Sequence, residues 1–218
     1  MYASVMAMST DPPPAVMGHR HGRVPREVRH KQLLDISEQI FLTKGYDGFS
    51  IEELRRSAGV SRPVVYEHFR SKEAIFIACI TRIWEIYETS LLDSAANVHT
   101  FKDVVVGASD AYFRTLESNP RAWELLNNAR GINVTVDGEL DRLRELSVQR
   151  IVELGKVLTP NMGHERIEAY SHIISGAAED LGRWWSRNLD IPRSRIVEYH
   201  TDAILALAGR FADITDSV

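Results

Sequence analysis

Ser50-Ile51-Glu52-Glu53-Leu54-Arg55-Arg56-Ser57-Ala58-Gly59-Val60-Ser61-Arg62-Pro63-Val64-Val65-Tyr66-Glu67-His68-Phe69 is the stretch that decides the fold. Ser50 with Glu53 three residues on is a capping box, so a helix opens at Ile51. Ile51, Leu54 and Ala58 share its inward face, and Gly59 supplies the left-handed residue that stops it. Ser61 caps a second helix with Pro63 in its first turn, where a missing N–H costs nothing. Val65 and Phe69, four apart, pack that helix inward. Two short helices joined by Gly59-Val60-Ser61, with Val60 filling the angle between them, make a helix-turn-helix. The N-terminal end of the second helix is polar, and its dipole there suits phosphate.

Upstream, Leu33, Ile36, Ser37, Ile40 and Phe41 lie on one face of a helix that starts near residue 26 and ends at Gly45. Residues 1–24 carry Asp11-Pro12-Pro13-Pro14, Gly18 and Gly22 without any period, which predicts a disordered arm; Met6, Met8 and Met17 offer later starts. Downstream the pattern predicts helices over about 72–93, 100–118, 120–130, 138–158, 164–188 and 193–213. Asn119-Pro120, Thr159-Pro160, Ile191-Pro192, Gly131, Gly138 and Gly163 mark the breaks, and Asn133-Val134-Thr135-Val136 is assigned to a loop. The expected fold is all-α with about nine helices: an arm (1–24), a three-helix domain (25–71) and a larger helical bundle (72–218).

Composition narrows the function classes. The 218 residues are 44% hydrophobic and 26% charged, ordinary for a globular chain able to bury a full core. The single cysteine, Cys79, excludes a disulfide framework or thiolate zinc site within the chain, fits a reducing compartment and reads as a packed thiol. No apolar run reaches 18 residues and no signal peptide is recognisable, so the expected location is cytoplasmic, without a membrane partner.

The net charge of −4 hides an asymmetry: residues 1–75 hold 11 Lys/Arg against 9 Asp/Glu, and residues 76–218 hold 15 against 21. Arg20, Arg23, Arg26, Arg29 and Lys31 bunch early, opposed only by Glu27, which suits either a polyanion partner or a solubilising tail. His164 and His172, eight apart, lack metal-ligand spacing. With no phosphate loop, nucleophile elbow or paired acid, no enzyme, cofactor or metal site is expected.

Residues 27–80 resemble the DNA-binding domain of the TetR family of bacterial transcriptional regulators. The anchors are Gly45-Tyr46, Ser50-Ile51, Ala58-Gly59-Val60-Ser61, Tyr66-Glu67-His68-Phe69 and Ser71-Lys72-Glu73, in the family's order and spacing. The resemblance covers about a quarter of the chain. It implies a homodimer whose recognition helices enter successive major grooves of a palindromic double-stranded DNA operator. A small apolar effector in the C-terminal bundle would release it as a repressor; the alternatives are an activator or a regulator without a small-molecule effector.

Arg62 can make bidentate bonds to guanine, while Pro63 and Val64 offer apolar surface to thymine methyls. The resemblance implies phosphate contacts from Tyr66, His68 and Lys72, with Ser50 and Ser61 at the two helix starts and Arg26 in the basic segment. Tyr66 also fits a packing aromatic, and Arg55 and Arg56 a solvated face. A helical carrier or enzyme with a protein-binding N-terminal domain is the reading from another class.

For the bundle the resemblance implies an effector pocket, with Trp84, Tyr87, Tyr112, Phe113, Trp123, Leu126, Asn127 and Trp184 as lining candidates and Asn128 and Arg130 as polar neighbours. Their spacing alone equally suits a core. Ile167, Tyr170, Ile174, Ala178, Leu181 and Trp185 on one late helix, and Ile204, Leu207 and Phe211 on the last, form broad apolar stripes expected to serve the chain's own core and a second subunit.

Overall fold

The computed structural model describes residues 24–94, 100–118, 120–127 and 129–215. Among these the chain is helical without strands: α1 (Arg26–Gly48), α2 (Ile51–Ala58), α3 (Arg62–His68), α4 (Lys72–Ser94), α5 (Phe101–Ser118), α6 (Pro120–Asn127), α7 (Val134–Leu158), α8 (His164–Trp185) and α9 (Arg193–Thr215). The arm, apart from Val24, and Asn128 lie outside the described residues, as do the side chains of Asn127 and Phe211.

Two compact units divide between Phe76 and Ile77, inside α4 rather than at its start as the sequence suggested. The reason is aromatic packing. Phe41 stacks on Phe49 at 4.2 Å and meets Phe76 edge-on at 4.9 Å, and Tyr46 meets Phe76 at 5.2 Å, so the first turn of α4 completes the first unit's core. α1 buries Leu33, Leu34, Ile36, Ser37, Ile40 and Phe41, and is interrupted at Gly45 (φ 69°, ψ 178°), a left-handed break. Lys44 pairs with Glu53 at 2.7 Å, tying α1 to α2.

The helix-turn-helix forms where its residues dictate. The Glu53 N–H donates to Ser50 Oγ at 3.2 Å, capping α2. Gly59 (φ 65°, ψ 34°) ends α2, with the Gly59 and Val60 N–H groups donating to the Arg56 and Arg55 carbonyls. Ser61 occupies the N-cap position of α3 but makes no side-chain cap bond, contrary to the sequence expectation; its carbonyl accepts from Val64 and Val65 instead. Val65 and Phe69 are buried.

In the second unit α5 packs along α9 and α7 along α8. One core joins Phe113, Leu116, Trp185, Ile196 and Val197. The Trp185 indole N–H donates to the Ile191 carbonyl at 2.8 Å. A second core joins Val148, Val152 and Ile167. There Gly155 lets α7 and α8 close tightly, since a Cβ at that glycine would lie 2.8 Å from Ile167 Cγ2.

Three helix limits differ from the sequence expectation. α7 begins at Val134, because Asn133 caps it by accepting the Val136 N–H at 3.0 Å and Asp137 accepts the Gly131 N–H at 2.9 Å; Gly138 therefore sits inside the helix. α6 ends at Asn127, and α8 ends at Trp185, where the Asn188 side chain donates to the Trp184 carbonyl at 2.7 Å.

Candidate nucleic-acid interface and ligand cavity

On α3 the residues divide by face. Arg62, Pro63 and Tyr66 are exposed, Val64 is half-buried and Val65 is fully buried. Arg62 Nη2 donates to the Tyr66 hydroxyl at 3.3 Å, and its guanidinium lies 5.6 Å from that ring. Four residues apart on a helix, the two side chains make one exposed donor platform. Tyr66 is 43% exposed, which sets aside the packing alternative. Arg55 pairs with Glu52 along α2, as a solvated face would.

Three of the expected phosphate contacts also make contacts within the chain. His68 is half-buried, its ring 5.6 Å from that of His30 on α1, and its Nδ1 is buried without a hydrogen-bond partner among the described residues. Burial foremost, then the nearby His30 and Arg26, holds its pKa below the usual histidine value. Lys72 Nζ donates to the Asp47 carbonyl at 3.3 Å and sits 4.3 Å from the Tyr46 ring, bracing the start of α4. Ser50 is engaged as the α2 cap. Arg26 is exposed in the first turn of α1, where the sequence started that helix.

The second unit holds a partly open cavity of about 350 Å³ between α4, α5, α6, α7, α8 and α9. Of the sequence candidates, Trp84, Tyr87, Tyr112, Trp123 and Leu126 line it, as does Arg130. Two do not. Phe113 turns into the core beside Trp185, because neighbours on a helix point about 100° apart and Tyr112 already faces the cavity. Trp184 is 40% exposed on the outer side of α8.

Several polar wall residues carried no local sequence signal. Ser109 is hydrogen-bonded to His200 Nδ1 at 2.8 Å, and the Trp84 indole N–H donates to Ser147 Oγ at 3.0 Å. Arg144 Nε donates to Glu179 at 2.7 Å across 35 residues of sequence. Arg150 reaches Glu88 at 3.2 Å. Desolvation raises the Tyr87 pKa to about 12 and pushes that of Tyr112 well above the phenol value, so both keep their protons. Burial lowers the His200 pKa, leaving a neutral ring.

The stripes expected at a subunit contact are largely used within the chain. Ile167 and Trp185 are buried in its two cores, Leu181 packs on one of them, and Ile174, Ala178 and Ile204 line the cavity. Tyr170 and Leu207 are half-buried. What α8 and α9 leave outside is Ile173, Trp184 and Tyr199, with Gly176, Ala177, Ala203 and Ala206. Among the described residues no group of three His, Cys, Asp or Glu could hold a metal ion, and no helix is long and apolar enough to cross a membrane.

Comparison with known proteins follows this division. Residues 33–79 match the family model for bacterial regulatory proteins, tetR family. The transcriptional activator FasR of Mycolicibacterium smegmatis is 28% identical over 113 residues, 52% of this chain and 52% of that protein. The chain spans about half the length of the curated relatives it matches. A TetR-like transcriptional regulator from Rhodococcus sp. RHA1 superposes with a TM-score of 0.67 at 21% identity, over 86% of this chain and 100% of that one. FadR of Bacillus subtilis, solved in complex with stearoyl-CoA, does so with 0.65 at 16%, over 82% and 96%. At these identities the structural likeness carries the fold.

Proposed function

We propose that this chain, a member of the TetR family of bacterial regulatory proteins, is a ligand-responsive transcriptional regulator. It binds a two-fold symmetric duplex operator as a homodimer and is released by an apolar effector in the cavity of its second unit. The observation that carries the reading is the division of α3, whose Val65 face is buried while Arg62 and Tyr66 stand outward together. Arg62 reads a guanine edge, Pro63 and Val64 meet methyl groups, and Tyr66 with the helix starts at Ser50 and Ser61 holds phosphates. His68 acts as a packing residue and Lys72 as a brace with charge to spare for the backbone.

Two copies join through the outer side of α8 and α9, where Ile173, Trp184 and Tyr199 stand among small residues that permit close helix approach. A stable pairing of this kind buries ~2,000 Å² or more. The apolar cavity wall, together with the stearoyl-CoA bound by the FadR neighbour, supports an effector with an acyl-like body. α4 supplies both Phe76 to the first unit's core and Trp84 and Tyr87 to the cavity wall. A ligand that favours one placement of α4 lowers DNA affinity by its differential binding to the two states, and by no more.

The test is selection of duplexes from a random pool, followed by titration across salt. Affinity for the selected duplex should fall linearly with salt on logarithmic axes, by ~10³ or more between about 50 and 200 mM for six or more phosphate contacts. Absence of duplex binding favours the helical carrier instead. Repression is the expected sign in a reconstituted transcription assay, and the name of FasR favours activation as the second reading.

A further inference from the structure

The cavity wall changes character along its length. Arg144–Glu179 and Trp84–Ser147 fix how α7 lies beside α8 and α4, and Ser109–His200 fixes α5 beside α9. Along α8, Gly182 meets Leu116 of α5 and Trp123 of α6, Glu179 meets Arg144 of α7, Ile174 meets the His200 that holds Ser109 of α5, and Ile167 meets Gly155 of α7, so Phe101 and Val104 of α5 share one end of the wall with Leu154 and Leu158 of α7. Tyr112 of α5 and Trp123 of α6 share the other with the arginines at 130, 144 and 183. The far end is a hydrocarbon slot, and the near end is rich in donors.

Those donors are of two kinds. The cations are already matched: Arg144 by Glu179, Arg130 by Asp141 at 2.7 Å, and Arg183 by Asp180 at 2.9 Å. By contrast the Tyr112 hydroxyl and the Trp123 indole N–H are buried with no hydrogen-bond partner among the described residues. Their rings meet edge-on, 6.2 Å between centroids. An indole N–H can only donate, and a phenol whose burial keeps it protonated donates as well. Two unmatched neutral donors beside cations that are already paired describe an acceptor that carries no charge of its own.

We propose that the effector is a carbonyl-headed apolar molecule, an ester, thioester or amide rather than a free carboxylate, whose carbonyl oxygen is taken by the Tyr112 hydroxyl and the Trp123 N–H while its body fills the slot toward Phe101 and Leu158. This rests on the cavity being the effector site. A free carboxylate leaves water for a wall that offers no unclaimed cation, and a pure hydrocarbon leaves both donors unmatched.

The test uses the full chain and three probes of one shape: butylbenzene, methyl 4-phenylbutanoate and 4-phenylbutanoate, each titrated against cavity-bound Nile red. The ester should displace the dye at least tenfold more tightly than either of the others. Tyr112→Phe and Trp123→Phe should each weaken the ester by about fivefold, the share of one hydrogen bond, and leave butylbenzene unchanged. Tyr112→Phe removes a hydroxyl that has no partner, so it folds at least as well as the parent. A carboxylate that binds as tightly as the ester, or variants that leave the ester-to-butylbenzene ratio unaltered, overturns the carbonyl assignment and spares the cavity. Failure of all three probes to bind overturns both.

Discussion

Gly155→Ala sets a helix preference against a close contact between α7 and α8. Inside α7, replacing glycine by alanine should gain ~1 kcal/mol from reduced backbone freedom in the unfolded chain. The new methyl, however, would sit 2.8 Å from Ile167 Cγ2, a branched carbon held in the core with Val148 and Val152. Overpacking of that kind costs ~1–3 kcal/mol. The expected net is a loss of up to ~2 kcal/mol, read as a Tm drop at ~2–4 °C per kcal/mol for a chain of this size. In an Ile167→Ala background, itself costing ~2–5 kcal/mol, the obstructing carbon is gone, and Gly155→Ala should then stabilise by its full helix gain. Urea melts of the four proteins close a cycle whose coupling should reach ~1–3 kcal/mol. Equal effects of Gly155→Ala in both backgrounds would refute the tight α7–α8 approach, and with it the placement of this stretch of cavity wall.

Arg62→Ala should cost ~1–3 kcal/mol of discrimination at one operator position, measured by competition with single-base variants; an equal loss on every duplex would mean that Arg62 touches only phosphate. Ser50→Ala removes the acceptor for the Glu53 N–H and should destabilise the first unit by ~1 kcal/mol, seen as weaker amide protection in α2. Unchanged exchange there would exclude the cap. Burial holds the His200 pKa below its unfolded value near 6.5, so its contribution is complete above that pH and is lost as pH falls through it toward the folded value. Tm should therefore drop between pH 7.5 and 5.5, and His200→Gln should flatten part of that drop; an undiminished slope would assign it to other groups.

Much of the first unit was legible because its signals are local. Ser50 with Glu53, and Gly59 after Ala58, are relations within four residues, set by backbone hydrogen-bonding needs that every helix end shares. The intrachain contacts of Lys72 and His68 were not legible, since the Asp47 carbonyl and the His30 ring that meet them come from elsewhere in the chain. In the bundle, sequence period found the apolar stripes but not which edge faces inward. Ile167 and Trp185 went to the cores while Ile173, six residues on, and Trp184, one step away, stayed outside. Asn133-Val134-Thr135-Val136 read as a loop because it lies between the breaks marked at Gly131 and Gly138; an asparagine cap starts the helix there instead.

The four tryptophans of the bundle are spread over three environments: Trp84 and Trp123 on the cavity wall, Trp185 in the core, and Trp184 on the outer side of α8. That distribution makes the protein its own optical instrument. Filling of the cavity would quench or shift the emission of two indoles, and covering of α8 by a second copy would shift the emission of a third toward the blue. With Trp184→Phe as the control, occupancy and assembly can be followed as separate colours in one unlabelled sample.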